Sequence, residues 1–228
     1  MKEKFWVSGR HTINSILQYK KRRIYKVISS DEKITKSIKG CELVHKSFFN
    51  KIFKDEDLVH QNIAAQIDLV EEKLIDHLNN IKNILILDNV TDPRNIGSIF
   101  RSALAFNVDG VILKKGSYKD TSALMFKAAS GATERLKIFN EVNISRAINL
   151  LKKNGFWIYG LDVGAKNIIN KNTTFSKKNA FVFGSEEKGI SHLIKNNCDE
   201  LLKINISNID SLNISNAVAA SLAILTLK

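Results

Sequence analysis

The chain has 228 residues, of which 44% are hydrophobic and 25% are charged, proportions typical of a globular protein. No apolar stretch approaches the roughly 20 residues that span a bilayer, and the first residues lack the apolar run of a signal peptide. Two cysteines are too few for a disulfide framework. We therefore expect a cytoplasmic protein rather than a secreted, membrane-spanning or disordered one.

The net charge of +12 arises from 35 Lys and Arg against 23 Asp and Glu. Of the 35 basic residues 28 are Lys, whose codons are AT-rich, so the position of the charge is more informative than its total. Residues 1–68 hold 14 basic and 8 acidic residues, a net of +6, in under a third of the length. Their centre is the run Lys20–Arg23, followed by Lys26. This run indicates either a nucleic-acid-facing surface or a solvated helix end.

The first third of the chain predicts a small α/β domain over residues 1–69. Apolar runs indicate strands at Ile24–Ser29 and Ile63–Leu69. Helices are expected at His11–Gln18 and at Ser47–Phe53, where Ser47 is a plausible N-cap. Residues 70–82 are acidic and then polar, with few apolar residues, and this composition predicts a linker.

Residues 83–228 predict a larger α/β domain, because continuous apolar strands alternate with helical segments. Such strands are typical of a parallel sheet covered on both faces, and ligands bind such sheets in the loops after the strands. The predicted strands are Ile84–Leu87, Gly110–Leu113, Leu136–Phe139, Phe156–Leu161, Ala180–Phe183 and Leu201–Ile206. The predicted helices are Asn95–Phe106, Ser122–Ser130, Ile144–Lys153, Lys188–Asn196 and Asn213–Leu227.

Three loops contain residues that could bind a ligand or take part in catalysis, and the first of them is Asp88–Arg101. Asp92 and Pro93 are typical of a helix start, and Asn95 would lie at the helix mouth, where free N–H groups favour anions. Gly97 lets a backbone or a ligand approach closely, one turn before Arg101. The loop is either a phosphate- or ribose-binding helix start with Arg101 aimed at the ligand, or a capped helix with a surface arginine. Four residues should face the sheet: Ile96, Ile99, Phe100 and Ala103.

The second loop, Phe183–Ser191, has glycines at both ends of a strand-to-helix turn. Its backbone could contact a small molecule at Gly184, and Glu186 would then accept hydrogen bonds from ligand hydroxyls or amines. A plain turn explains the same pattern.

The third loop, Ile204–Ala220, places small polar residues at the start of an alanine-rich helix. Ser211 and Asn213 could be ordinary caps. The alanines Ala217, Ala219 and Ala220 would allow the close backbone packing that a deep pocket or a subunit contact needs.

Several enzyme classes are disfavoured because their motifs are missing from the sequence. There is no Gly-x-Gly-x-x-Gly dinucleotide fingerprint, no Walker-type phosphate loop and no Gly-x-Ser-x-Gly. The five His and two Cys form no ligand-spaced cluster, so we expect no metal site.

Taken in this order, the three loops resemble the SpoU (TrmH-type) family of RNA ribose 2′-O-methyltransferases in the SPOUT superfamily. The matching segments are Asn95–Ala103, Phe183–Gly189 and Ser211–Asn213. The first third is similar to the ribosomal-protein-L30-like RNA-binding domain, whose Gly-x-His and His-Gln-Gly segments match Gly9–His11 and His60–Ala64. Asn62 stands there in place of the usual Gly, and Asn205 stands where the third motif often has Pro.

The resemblance implies S-adenosylmethionine bound in a deep trefoil knot of the C-terminal loops, in an obligate homodimer. It implies cofactor contacts at Gly184, Ile204 and Leu212. It implies catalysis by Arg101, Asn95, Glu186, Ser211 and Asn213. Arg101 would orient the RNA and stabilise charge that develops on the ribose oxygen, without a fixed role as proton acceptor.

The implied substrate is large-subunit ribosomal RNA, because the sequence resembles the group that methylates a 23S ribosomal RNA guanosine. A tRNA 2′-O-methyltransferase of the same family is one alternative. A non-catalytic RNA-binding or ribosome assembly factor that kept the fold is another. Neither a membrane partner nor a metal is expected.

Overall fold

The computed structural model describes residues 3–54 and 58–226. They form two β-sheets, each covered by helices, and the larger sheet is entirely parallel. The predicted α/β class with a parallel C-terminal sheet is confirmed. None of the helices in this part of the chain combines the length and apolar character that crossing a membrane requires.

The smaller sheet belongs to the N-terminal unit, residues 3–68, and has the strand order β1-β4-β2-β3. Strand β4 is antiparallel to both of its neighbours, whereas β2 and β3 are parallel. The strands are β1 (Lys4–Ser8), β2 (Ile24–Ser29), β3 (Cys41–Leu43) and β4 (Ile63–Asp68). The helices are α1 (Arg10–Tyr19), α2 (Glu32–Ser37) and α3 (Ser47–Ile52).

The predicted elements of this unit form at the expected places, while three short ones were not predicted: β1, β3 and α2. The N-cap prediction for Ser47 is wrong, because Ser47 is the first helical residue and its Oγ lies 2.8 Å from His45 Nδ1. Asn62, which stands where the resemblance implies a glycine, has a left-handed backbone (φ 61°), a conformation that asparagine tolerates. The turn therefore forms without glycine.

The connection between the two sheets is packed rather than loose. Its residues Leu74, Leu78 and Ile81 are each no more than 4% exposed and join the core beneath the larger sheet. Leu74 is the first residue of a 3₁₀ turn, Leu74–Asp76. The few apolar residues expected in the 70–82 linker are therefore enough to pack it against the larger sheet.

The larger sheet belongs to the C-terminal unit, residues 83–226, and has the strand order β7-β6-β5-β10-β8-β11-β9. Its strands are β5 (Asn83–Leu87), β6 (Gly110–Lys114), β7 (Lys137–Glu141), β8 (Trp157–Leu161), β9 (Asn167–Ile168), β10 (Asn179–Phe183) and β11 (Glu200–Lys203). Its helices are α4 (Pro93–Ala105), α5 (Ala123–Ala129), α6 (Ile144–Lys153), α7 (His192–Lys195) and α8 (Ile214–Thr226), with a 3₁₀ turn at Ala132–Glu134.

Two predicted helices of this unit differ from the structure. The segment expected at Lys188–Asn196 is helical only over α7, because Ser185 and Gly189 exchange backbone hydrogen bonds that close a tight hairpin before it. The final helix begins at Ile214 rather than Asn213, and Leu227, its predicted end, lies outside the described residues.

Gly97 serves the packing of α4 against α5. A Cβ atom at Gly97 would overlap the Met125 carbonyl oxygen and lie 2.6 Å from Ala128 Cβ. The close approach expected at this glycine is therefore made by the α5 backbone, not by a ligand. The four residues predicted to face the sheet are all fully buried: Ile96, Ile99, Phe100 and Ala103.

The N-terminal unit docks on α5 and on the 3₁₀ turn that follows it. Arg22 Nε lies 3.0 Å from Glu134 Oε1, with side chains 4% and 0% exposed. Lys21 Nζ lies 3.0 Å from Glu72 Oε2 and donates to the Leu136 carbonyl. Apolar residues of both units join one continuous core around these pairs.

Neither interpretation of the basic run holds for Lys21 and Arg22, because both side chains are committed to carboxylates at the junction of the units. Lys26 pairs with Glu42 at 2.7 Å on the surface of the N-terminal unit. Lys20 and Arg23 are exposed, and Arg23 lies over the Tyr25 ring. Of the run Lys20–Arg23, only these two side chains remain on the surface, where they could face a nucleic acid.

Candidate active site

The first component of the site is the start of α4, which follows strand β5. The Asp92 carboxylate caps this helix by accepting hydrogen bonds from the N–H groups of Arg94 and Asn95. With the cap satisfied and Pro93 in the first turn, the helix holds the Asn95 side chain at the carboxyl edge of the sheet.

The second component is the hairpin after strand β10. A Cβ atom at Gly184 would overlap the backbone of Gly189, so the two ends of this hairpin can meet only at glycine. Its mutual Ser185–Gly189 hydrogen bonds present Glu186 at the tip. The plain-turn interpretation is insufficient, because the glutamate is aimed at two other loops.

The third component is the start of α8, where Asn213 acts as a cap. Its Oδ1 accepts from the Ser215 N–H at 2.9 Å and from the Ser215 hydroxyl at 2.6 Å. Its Nδ2 points the opposite way, toward the first two components. Asn213 thus uses one amide oxygen for the helix and one amide nitrogen for the site.

The three components meet at a single carboxylate oxygen. Glu186 Oε1 accepts from Asn95 Nδ2 at 3.0 Å, from Asn213 Nδ2 at 2.5 Å and from the Ile214 N–H at 3.2 Å. Asn213 Nδ2 also donates to Asn95 Oδ1 at 3.2 Å. Glu186 Oε2 accepts no hydrogen bond from the residues that the structure describes, so it is available to a ligand. We call Asn95, Glu186 and Asn213 the polar cluster.

A cavity of about 310 Å³ lies beside the polar cluster. Five of its lining residues were predicted as site residues by the resemblance: Gly184, Glu186, Ile204, Ser211 and Leu212. The cavity wall is largely apolar, with the Asp162 and Glu186 carboxylates on it, and its volume falls at the lower end of the roughly 300–1,000 Å³ typical of small-molecule sites.

Arg101 is not brought into this cluster. It is exposed on α4, and within the described part of the chain no hydrogen bond or ion pair joins it to another side chain. The structure thus unites the polar cluster and the cavity residues, and it leaves Arg101 on an open face.

The loop after strand β8 lines the cavity but was not predicted from the sequence. Leu161, Asp162 and Val163 line the cavity, and Lys195 holds the Asp162 carboxylate at 2.9 Å. The signal was available, because this loop also follows the carboxyl end of a parallel strand. It contains a single glycine, Gly164, and no run of polar residues that would have drawn attention to it.

Two titratable side chains of this half of the sheet have raised pKa values. Burial raises the pKa of the Cys198 thiol to about 11, with nearby carboxylates adding to the effect of desolvation. Burial also raises the pKa of the Tyr159 hydroxyl. Across the described residues there is no group of three or more His, Cys, Asp or Glu side chains that could hold a metal ion.

The arrangement suits an enzyme that holds a small molecule in the cavity and a hydroxyl-bearing substrate at the polar cluster. The chain belongs to the SpoU rRNA methylase family, whose model matches residues 82–223. The resemblance of the three loops to this family of RNA methyltransferases is thereby confirmed.

Two relatives agree with this assignment. A Borreliella burgdorferi protein named as an uncharacterized tRNA/rRNA methyltransferase is 39% identical over 181 residues, which cover 73% of this chain and 78% of the relative. A Staphylococcus aureus protein named as a TrmH family tRNA/rRNA methyltransferase is 34% identical over 226 residues, covering 93% and 86%.

The fold matches solved structures of the same kind. The SpoU methyltransferase AviRb of Streptomyces viridochromogenes superposes with a TM-score of 0.81 at 17% identity, covering 96% of this chain and 87% of that one. Its complex with the cofactor AdoMet superposes with a TM-score of 0.79 at 18% identity, covering 96% and 88%.

Proposed function

We propose that this protein methylates a ribose 2′-hydroxyl in RNA with S-adenosylmethionine as the methyl donor. The observation that carries the proposal is the polar cluster, in which Glu186 is fixed by three donors beside a cavity and keeps one oxygen for a ligand. An inactive assembly factor would have no need of such a cluster.

The cavity residues fit the cofactor's chemistry. Apolar side chains, among them Ile204 and Leu212, can enclose an adenine ring, and the glycine hairpin at Gly184 presents backbone groups. Three carboxylates line the cavity, Asp162, Glu186 and Glu187, against two lysines, Lys188 and Lys203, and this excess of negative charge suits a ligand that carries positive charge. When bound, S-adenosylmethionine would supply an electrophilic methyl group, whose bond to sulfur breaks as the bond to the ribose oxygen forms, with the 2′-hydroxyl proton released to water.

The polar cluster positions the ribose. Glu186 Oε2 can accept a hydrogen bond from a ribose hydroxyl while Asn95 and Asn213 prevent the carboxylate from rotating. Positioning of this kind is worth roughly 7–11 kcal/mol for well-oriented groups. Arg101 and Ser211 complete the proposed catalytic set, and the Arg101 guanidinium stabilises charge on the 2′-oxygen or on the adjacent phosphate.

The proposal includes three features implied by the family. The C-terminal loops form a deep trefoil knot, which is supported by β10 lying between the earlier strands β5 and β8. The N-terminal unit is an L30-like RNA-binding domain. The protein is a homodimer, and we expect small residues of α4 to form part of the contact between the subunits. Because α5 covers Gly97, the small residues left for this contact are Ser98 and Ser102.

The experiment that tests the reaction supplies labelled S-adenosylmethionine with RNA and locates the label. A 2′-O-methyl group blocks alkaline cleavage of the adjoining phosphodiester, so labelled RNA should yield alkali-resistant dinucleotides. Label released only in mononucleotides would place the methyl group on a base and overturn the 2′-O assignment. Calorimetry with S-adenosylmethionine showing no heat would favour the binding-factor alternative.

The role of Arg101 is tested with a matched arginine. Arg101→Ala should abolish transfer while leaving the cofactor affinity nearly unchanged, because Arg101 does not line the cavity. Arg146→Ala, an exposed arginine on α6, should leave turnover unchanged. Equal turnover in both variants would remove Arg101 from the catalytic set.

We further propose that the substrate is large-subunit ribosomal RNA, with a guanosine of 23S ribosomal RNA as the target. Competition between unmodified ribosomal RNA and bulk tRNA for labelled cofactor tests this, and preferential labelling of tRNA would overturn it. The charge-removing variants Lys20→Gln and Arg23→Gln should reduce the salt dependence of RNA binding if these residues contact phosphates. Lys36→Gln, on the exposed face of α2, is the control.

A further inference from the structure

Asp88 holds both ends of the hairpin that carries Glu186. Its backbone N–H donates to the Phe183 carbonyl at 2.8 Å, immediately before the hairpin. Its Oδ2 accepts from the Ser191 N–H at 2.7 Å, immediately after the hairpin. One residue, 4% exposed, thereby bridges the two ends of the nine-residue segment from Phe183 to Ser191.

The other carboxylate oxygen of Asp88 faces the loop that leads to Asn95. Oδ1 accepts from Asn89 Nδ2 at 3.1 Å, and Asn89 has a left-handed backbone (φ 57°) that turns the chain toward the α4 cap. Asp88 therefore links the Asn95 loop to the Glu186 hairpin from behind. Neither of its oxygens reaches the cavity, because Asp88 is absent from the cavity lining.

We infer that Asp88 is a positioning residue that sets the distance between Asn95 and Glu186 in the polar cluster. The inference rests on the proposed methyl transfer, in which that cluster places the ribose. A loosened hairpin would let Glu186 leave the 3.0 Å hydrogen bond with Asn95. Misplacement by about 1 Å can lower an enzyme's rate on the order of 100-fold.

The chain supplies a matched control at the other end of the same strand. Asp109 Oδ2 accepts from the N–H groups of Lys82 and Asn83 at 2.7 and 2.9 Å. It is therefore also a carboxylate that holds backbone donors beside β5. It lies at the amino end of the sheet, away from the polar cluster, so a purely structural loss should affect both aspartates alike.

The test compares Asp88→Ala and Asp109→Ala in the full chain by two readouts. Turnover at saturating RNA and cofactor should fall roughly 10- to 100-fold in Asp88→Ala and stay within about twofold of wild type in Asp109→Ala. The KM for RNA should change little in either variant. Asp88→Asn should recover most of the turnover, because its amide oxygen can still accept from Ser191.

The second readout is hydrogen exchange of the backbone amides, which needs neither RNA nor cofactor. Exchange of Ser185, Gly189 and Ser191 should accelerate in Asp88→Ala but not in Asp109→Ala. If Asp88→Ala does not fold, Ser191→Pro removes the same hydrogen bond at a φ of −60°, which proline matches.

Equal turnover losses in the two alanine variants, or unchanged exchange in the hairpin, would overturn the positioning role. A wild-type protein that transfers no methyl group to RNA would defeat the proposed function instead. In that case faster hydrogen exchange of the hairpin amides in Asp88→Ala would still support the role of Asp88 in holding the hairpin. Unchanged exchange would reject that role.

Discussion

Removing the charge of Glu134 should strongly destabilise the protein. The Glu134 side chain is fully buried and faces Arg22, itself 4% exposed, so Glu134→Gln leaves an arginine charge in the core with no carboxylate beside it. Of the partners the structure gives the guanidinium, the Asp68 carbonyl at 3.3 Å and the face of Phe126 would persist. Breaking a buried pair in this way costs about 3–5 kcal/mol of the free energy of unfolding.

Urea denaturation of the full chain measures this loss. With a slope of roughly 2–3 kcal/mol per molar urea, the midpoint should fall by about 1–2.5 M. Because the pair joins residues 112 positions apart across the junction of the two units, the transition should also lose cooperativity. The control is Glu32→Gln, which breaks an exposed pair with Lys36 at 3.8 Å and should barely move the midpoint.

A double variant distinguishes a stranded charge from lost packing. Arg22→Met combined with Glu134→Leu removes both charges and keeps apolar volume, so it should recover most of the stability lost in Glu134→Gln. A Glu134→Gln midpoint equal to that of Glu32→Gln would refute the reasoning. The reasoning would also be refuted if the double variant were less stable than both Arg22→Met and Glu134→Leu alone.

Three further predictions concern other parts of the chain. Gly97→Ala should lower the free energy of unfolding by about 1–3 kcal/mol, because the added methyl group forces α4 away from α5; thermal melts of Ser102→Ala on the same helix should show no such loss. Desolvation and nearby lysines lower the pKa of His60, so the unfolded chain binds more protons below about pH 6.5 and stability should fall from pH 7 to pH 5. This loss of stability between pH 7 and pH 5 should be smaller in His60→Asn. An equal loss in the wild type and in His60→Asn would show that His60 does not cause it. Burial raises the pKa of the Cys198 thiol to about 11. In a Cys41→Ser background, Cys198 should therefore react with iodoacetamide at pH 8 at least about tenfold faster in urea than in the folded state. Equal rates would show that the thiol is not shielded.

Local signals in the sequence were sufficient for the elements that carry the site. Helix α4 was predictable because Asp92 and Pro93 mark its start and its buried residues recur at helical spacing. The three site loops were predictable because each one follows the carboxyl end of a strand in a parallel sheet and precedes a helix. Residue type and spacing determine such features, and both are visible in a single chain.

Features that depend on distant partners were not predictable. The run Lys20–Arg23 has the same local appearance whether it faces RNA, water or a carboxylate, and Glu134 lies 112 residues beyond Arg22. The convergence of three donors on one Glu186 oxygen likewise depends on tertiary geometry. Short elements such as β3, with three residues, carry too little periodicity to be recognised.

The position of β10 has a consequence for how the chain folds as it is synthesised. Strands β5 and β8 lie on either side of β10 and are made first, so their inner edges stay unpaired until residue 183 has been added. The N-terminal sheet, by contrast, has all its strands by residue 68. A nascent chain of intermediate length therefore carries a finished small sheet and unpaired apolar edges on β5 and β8. In this state association with other chains competes with folding. We expect synthesis stalled between residues 161 and 179 to yield aggregation-prone fragments, whereas fragments ending near residue 203 have every strand of the larger sheet.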